Sequence, residues 1–215
     1  MIKKFLFILL VLTPLFELIS ADQTQVWTEQ FIYHGINKNL SVGFWEQQRM
    51  STIDPSFRLN EFTPNMIWKF NPYLDGMLGV RFIQSFKPHA DYTASQMAMM
   101  ALTPKYATGK WSFYSTQRLD CGVSGGDQKT LFREHNRATY QFTKVPIPMS
   151  VFAYDEWHWN FTQGYLAENR AAGGFAFQVD ENVTVQLYGM WYDQWTKKGT
   201  VDAYPVSVVS VKMNF

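Results

Sequence analysis

The chain of 215 residues has few long hydrophobic runs. Beyond the N-terminal segment, no apolar stretch approaches the roughly 18 residues that a transmembrane helix needs. A helical membrane protein with several spans is therefore excluded. If the mature chain crosses a membrane, it must do so as a closed barrel, because lipid satisfies no backbone N–H or C=O group.

Cysteine and charge are also scarce. Cys121 is the single cysteine, so no internal disulfide can form. Its turn-like surroundings, 119–126, predict a loop thiol, with a catalytic thiol as the alternative. Charged residues make up 17% of the chain, below the ~25% of ordinary soluble domains. The net charge of +1 gives no electrostatic basis for binding nucleic acid.

Motifs for several classes of chemistry are missing. No spacing matches a zinc site, a glycine-rich phosphate loop or a nucleophile elbow. We therefore predict no metal site and no cofactor.

The N-terminus has the layout of a secretory signal peptide. Lys3 and Lys4 precede an apolar run over 5–16, and Ser20-Ala21 supplies small residues for cleavage. We predict a signal peptide over 1–21 and one mature domain over 22–215. An uncleaved membrane anchor is the alternative.

Aromatic residues are abundant, at 17% of the chain. This excess, together with the low charge, is typical of a wall that faces lipid and has aromatic girdles at both rims. Apolar and polar residues also alternate with period two, which predicts strands. The alternation is clear over 40–49, 78–82, 133–142, 170–177, 183–188 and 206–215, and weaker over 24–34, 60–70, 92–103, 110–119 and 149–159.

These segments predict a single antiparallel transmembrane β-barrel of 10–12 strands, of the outer-membrane type. The raw count is eleven, but bacterial barrels normally have an even number, so we expect one of the eleven to be wrong or incomplete. Turn residues predict short connections near 35–39, 71–75, 104–109, 144–148 and 179–182. Longer connections, typical of external loops, are predicted near 51–57, 86–91, 120–129, 158–164 and 195–204.

The C-terminal segment supports the outer-membrane interpretation. Val209, Val211, Met213 and Phe215 share one face of the predicted last strand. The segment resembles the terminal strand of bacterial outer-membrane barrels, which the barrel assembly machinery recognises. This resemblance implies two partners, the assembly machinery and outer-membrane lipid, for a monomer located in the bacterial outer membrane.

Charged residues recur on the face opposite the apolar rows. A soluble barrel such as a lipocalin would bury these charges or expose a large apolar belt, and both are costly. We predict instead that they face the lumen, where arginines and carboxylates pair. The predicted lumen charges are Glu46, Arg49, Arg81, Arg118, Arg133, Arg137, Glu156 and Arg170.

One cluster allows an enzymatic alternative. Glu156 and His158 share a strand face, so a paired acid and base is conceivable. Ser150 is on the same face but about 20 Å or more away along the strand, which excludes it as a local nucleophile. No catalytic residue is therefore assigned, and Glu156 and His158 remain the weak candidates.

Several short motifs resemble those of the domain of unknown function 2490 (DUF2490) family. They include Gln25-Val26-Trp27, the Glu46–Arg49 strand end, Trp68-Lys69-Phe70-Asn71, Asn136-Arg137, Ala153-Tyr154-Asp155-Glu156, Glu168-Asn169-Arg170 and Gly173-Gly174-Phe175. The chain departs from the pattern near 92–102, where methionines replace an expected charge. The resemblance implies a bacterial outer-membrane barrel and no particular activity.

The leading functional prediction is a structural, adhesive or envelope-maintenance role. A substrate-specific pore is one alternative. It would be narrow, because 10–12 strands are fewer than the 16–18 of porins that leave an aqueous channel. A barrel enzyme acting on lipid or peptide is the other.

Overall fold

A computed structural model describes residues 25–51, 58–86, 93–143, 145 and 147–215 of the chain. The predicted signal peptide, Pro146 and most of the predicted connections 51–57 and 86–91 lie outside these residues. In the described ranges, no helix is long and apolar enough to cross a membrane.

The described residues form eleven strands. In chain order these are β1 (Gln25–Gly35), β2 (Leu40–Ser51), β3 (Arg58–Asn71), β4 (Leu74–Phe86), β5 (Thr93–Thr108), β6 (Trp111–Ser124), β7 (Asp127–Phe142), β8 (Met149–Asn160), β9 (Tyr165–Gln178), β10 (Val183–Trp195) and β11 (Val201–Asn214). The strands close into one barrel, so the predicted fold class is confirmed.

The closure of the barrel is unusual. Each strand pairs antiparallel with its neighbour in sequence, but β1 pairs parallel with β11, as in the partners Thr28 and Val209. The expectation that one of the eleven strands was wrong is therefore itself wrong, because a parallel seam allows an odd number. It also places the start of β1 and the end of β11 at opposite rims. We call these the N-terminal rim and the C-terminal rim.

Among the connections that the structure describes in full, those predicted to be short and those predicted to be long do not differ clearly in length. The predicted external loop at 120–129 is wrong: β6 and β7 continue through it and are joined by a tight turn at Gly125 and Gly126, with φ of 60° and 92°. Cys121 lies within β6 and is exposed, so the prediction of a loop thiol is also wrong. Glycines are typical of loops, but here both adopt the left-handed conformations of a two-residue hairpin.

Side chains alternate between the two faces of the wall, as the period-two pattern predicts. In β4, Val80 and Phe82 are exposed on the outer face, and Arg81 between them is buried on the inner face. In β11, Val209, Val211 and Met213 follow the outer-face alternation. Phe215 closes the strand through its backbone, because its N–H donates to the carbonyl oxygen of Tyr33 at 2.8 Å.

Candidate functional site

The buried charges lie in the half of the lumen nearer the N-terminal rim, within about seven residues of that end of each strand. Those that form ion pairs with one another come from six of the eleven strands, β3, β4 and β6 to β9. We call this set the lumen network; its members are Glu61, Arg81, Arg118, Asp120, Arg133, Glu156, His158, Glu168 and Arg170.

One part of the lumen network is built from β3, β4 and β6. Arg81 donates from Nε and Nη2 to the two carboxylate oxygens of Glu61, at 2.6 and 2.5 Å. Its Nη1 reaches Asp120 at 3.4 Å, and Arg118 donates to the same Asp120 oxygen at 2.8 Å. Two arginines thus share two carboxylates, and the bidentate Arg81–Glu61 pair fixes their geometry.

The second part is centred on Glu156 of β8. Its Oε1 lies 2.7 Å from Arg133 Nη2 and 2.9 Å from Arg170 Nη1. His158 places Nε2 at 2.5 Å from the same oxygen and Nδ1 at 3.0 Å from Glu168. Arg170 also donates to Glu168 at 2.6 Å. Because most of these groups are buried, their charges are little screened and depend on one another.

The two parts meet at a pair of like charges. Arg118 and Arg133 are directly opposed on β6 and β7, an arrangement that is unfavourable by itself. Asp120 and Glu156 each bind one of the two guanidinium groups and so compensate for the repulsion.

Other side chains cross the lumen. Arg118 of β6 lies over the ring of Trp45 of β2, at 5.9 Å from its centroid. Arg170 of β9 lies over the ring of Trp27 of β1, at 5.1 Å. Nearer the C-terminal rim, Arg137 of β7 donates to Gln186 of β10 at 3.2 Å. These contacts join strands that are not neighbours in the wall, so side chains span the interior.

The structure places seven of the eight predicted lumen charges inside the barrel. Arg49 and Arg137 lie there but outside the lumen network: Arg49 bonds Gln47 and lies 3.9 Å from the Trp27 ring centroid. Glu46 is the exception and requires a correction. It pairs with Gln30 on the outer face and bonds the exposed Gln48, because its parity in β2 is opposite to that of Gln47 and Arg49.

Sequence reasoning missed three carboxylates of the lumen network: Glu61, Asp120 and Glu168. The signal for Glu61 was present, because it has the parity of Thr63 and Asn65 and opposes Phe62 and Met66. Asp120 falls in the predicted connection at 120–129, where no strand alternation is expected. The signal for Glu168 was present too, because it has the parity of Arg170, and the register shift next to it lies on the other side, between Leu166 and Glu168.

The candidate acid and base, Glu156 and His158, contact each other and further charged groups. His158 is bounded by Glu156, Glu168 and Arg133, and His135 contacts Glu156 at 3.0 Å. These partners are carboxylates and a guanidinium rather than a hydroxyl nucleophile, so they hold the imidazole ring in one orientation. Within the described residues, no group of three or more His, Cys, Asp or Glu could hold a metal ion.

Comparisons with known proteins agree with this architecture. Among curated proteins, no relative matches. Among solved structures, LpxR from Salmonella typhimurium, an outer-membrane barrel, superposes with a TM-score of 0.52 at 12% identity, over 85% of this chain and 86% of that one. At this identity the likeness shows the fold alone. The family model described as "Protein of unknown function (DUF2490)" matches residues 24–203, so the chain belongs to the DUF2490 family.

Proposed function

We propose that the protein is a closed outer-membrane barrel that maintains the envelope through its outer wall and rims rather than by passing solutes through its lumen. The observation behind this proposal is that every strand contributes at least one buried side chain to the lumen. In strand order they are Trp27, Gln47, Glu61, Arg81, Met97, Asp120, Arg133, His158, Arg170, Tyr192 and Val206.

Every strand around the lumen therefore carries a buried side chain, and the contacts of Arg118 and Arg170 across the interior brace this ring. A pore needs a water-filled path lined by accessible polar groups. Here the polar groups are buried and paired with one another, which argues against the pore alternative.

Conductance tests the closed lumen directly. We expect the purified protein, reconstituted in a planar bilayer, to show no steady openings, whereas a general porin in the same bilayer does. Regular single-channel steps from the folded, heat-modifiable form would contradict the proposal.

An envelope role predicts that deletion of the gene raises sensitivity to detergents and to bulky hydrophobic dyes. The wild-type gene should restore resistance, and so should a His158→Asn variant, provided that the variant still folds. A folded variant that fails to complement would favour the enzymatic alternative.

That second candidate rests on a single observation, the position of His158 between two carboxylates near the N-terminal rim. A histidine oriented by a carboxylate at Nδ1 is the usual arrangement of a general base. Lipid profiles of cells carrying wild-type protein or the His158→Asn variant would differ if this group performed chemistry.

A further inference from the structure

The outer face of the barrel wall has a groove, separate from the lumen network. It crosses β5 to β8 and has a volume of about 690 Å³, within the ~300–1,000 Å³ usual for small-molecule sites. Two rows of outward side chains form its walls. The wall nearer the N-terminal rim consists of Pro104, Ser115, Asn136 and Asp155, and the other of Tyr106, Phe113, Ala138 and Ala153.

The register explains why a groove forms here. Ala153 is opposite Ala138, which is opposite Phe113, which is opposite Tyr106. The short side chains of the two alanines make this wall shallow on β7 and β8. The exposed side chains of Tyr106 and Phe113 project outward from β5 and β6. The three strand spacings from β5 to β8 make the groove roughly 14 Å long.

The depth of the groove places it against hydrocarbon. Exposed Trp111 marks the aromatic girdle at the C-terminal rim of this sector, and exposed Trp157 and Trp159 mark the other. Asn136 and Asp155 lie between these girdles. On the adjoining wall, from β3 to β5, the same depth is continuously apolar, with exposed Met66, Leu78, Val80, Met100 and Leu102.

Polar groups at this depth are costly unless something pairs with them. Asp155 accepts hydrogen bonds from Asn169, at 2.9 Å, and from Trp157. Asn136 donates to Glu134 at 3.2 Å. Among the described residues, neither Asp155 nor Glu134 has an ion-pair partner. This end of the groove therefore offers acceptors to a donor that comes from the membrane.

The polar and apolar ends lie at opposite corners of the groove, three strand spacings and one row of side chains apart. Asp155 is two residues from Trp157 and its girdle, whereas Tyr106 is two residues from the end of β5 at the C-terminal rim. A lipid in the leaflet on the N-terminal side would present its head-end linkage to Asp155 and lay its chain toward Tyr106.

We propose that this groove binds one acyl chain of an amide-linked lipid, whose N–H or neighbouring hydroxyl donates to Asp155 and Asn136. A lipid with only ester linkages fills the apolar part but has no donor for the carboxylate. A second copy packed groove to groove would bring the same acceptors, whereas an amide-linked lipid brings a donor, so hydrogen-bond complementarity favours the lipid.

The test uses two lipids that share a phosphocholine head group. Sphingomyelin has an amide N–H and a hydroxyl at the head of its chains, and phosphatidylcholine has only esters. The folded barrel is mixed with equal amounts of both in detergent, and the bound lipids are counted by native mass spectrometry. We expect the wild type to retain sphingomyelin in preference by roughly fivefold, the ratio for one net hydrogen bond.

Two kinds of variant locate the binding. Ala153→Phe and Ala138→Phe fill the groove and should each reduce retention of both lipids, while Val80→Phe on the outer face of β4, outside the groove, should not. Asp155→Leu should keep a bound chain but lose the preference. Heat-modifiable gel mobility shows which variants fold, and having two groove-filling variants keeps the test valid if one does not.

Three results would overturn the proposal. These are equal retention of the two lipids by the wild type, unchanged retention in both folded groove-filling variants, or a dimer signal that Ala153→Phe removes. Because none of these readouts depends on conductance or on envelope resistance, the groove and the envelope role can fail independently.

Discussion

At the scale of single residues, the buried ion pairs decide how the interior is filled. Glu61 is almost inaccessible and accepts both short hydrogen bonds of Arg81. Such a pair contributes less than its Coulomb energy suggests, because both ions lose their hydration. Removing one partner is nevertheless expensive, since the other remains buried without compensation.

We therefore expect Glu61→Gln to lower the free energy of unfolding by about 3–5 kcal/mol. The matched control is Glu46→Gln, the same change on the outer face, which should alter it by less than about 0.5 kcal/mol. Urea unfolding in lipid vesicles, followed by gel mobility, measures both. Equal effects of the two substitutions would show that Glu61 and Arg81 are not paired in the lumen.

Two strand glycines differ in how much space an added side chain would have. A Cβ at Gly174 would lie 2.2 Å from the Leu187 carbonyl oxygen, whereas a Cβ at Gly189 would meet nothing within 4 Å. We expect Gly174→Ala to destabilise the barrel by about 1–3 kcal/mol. Gly189→Ala should be neutral or stabilising by up to about 1 kcal/mol, because alanine loses less entropy. The same urea assay applies, and a reversed order would contradict the register of β9 and β10.

At the scale of elements, alternation was the reliable signal and connections were not. The weak predictions for 24–34, 60–70 and 149–159 all became strands, because a half-polar wall only requires every second residue to be apolar. The β6–β7 hairpin was missed because its turn residues, Gly125 and Gly126, are also typical of a loop. Glu46 is predicted to face the lumen because it is charged. Its parity in β2, however, is that of the outward Phe44 and Gln48.

The hairpin gives a prediction of its own. Gly125 has a φ of 60°, which costs most residues about 1–2 kcal/mol but is readily adopted by asparagine. Gly125→Val should therefore destabilise the folded barrel by about that amount and slow its insertion into vesicles. Gly125→Asn should leave both nearly unchanged, and a similar loss in the two variants would rule out the tight turn.

At the scale of the whole molecule, the sequence indicated a barrel but not its closure. An even number of strands is a statistical regularity of bacterial barrels and not a physical requirement. It therefore does not overrule the eleven strands that the alternation predicts. Nothing local in β1 reveals a parallel partner, because residues such as Thr28 and Val209 are about 180 positions apart. The lumen network was predictable in kind from its arginines, but its partners depended on register.

The seam can be tested with engineered cysteines in a Cys121→Ser background. Thr28 and Val209 are directly paired on the outer face, so Thr28→Cys with Val209→Cys should form a disulfide on mild oxidation. Thr28→Cys with Val185→Cys, which places the second thiol on β10, should not. Non-reducing gels of the folded protein distinguish the two pairs. A linked control pair without a linked seam pair would mean that β1 joins the sheet elsewhere.

The parallel seam also determines where the cylinder is weakest. Parallel ladders are slightly less stable per residue than antiparallel ones, and every other junction in this wall is antiparallel. A wall under lateral tension should thus unzip between its first and last strands, turning the tube into an open sheet while the ten hairpin-linked junctions hold. The same junction is the last to form when the sheet closes into a barrel during insertion. The last contact to form is therefore also the first to break.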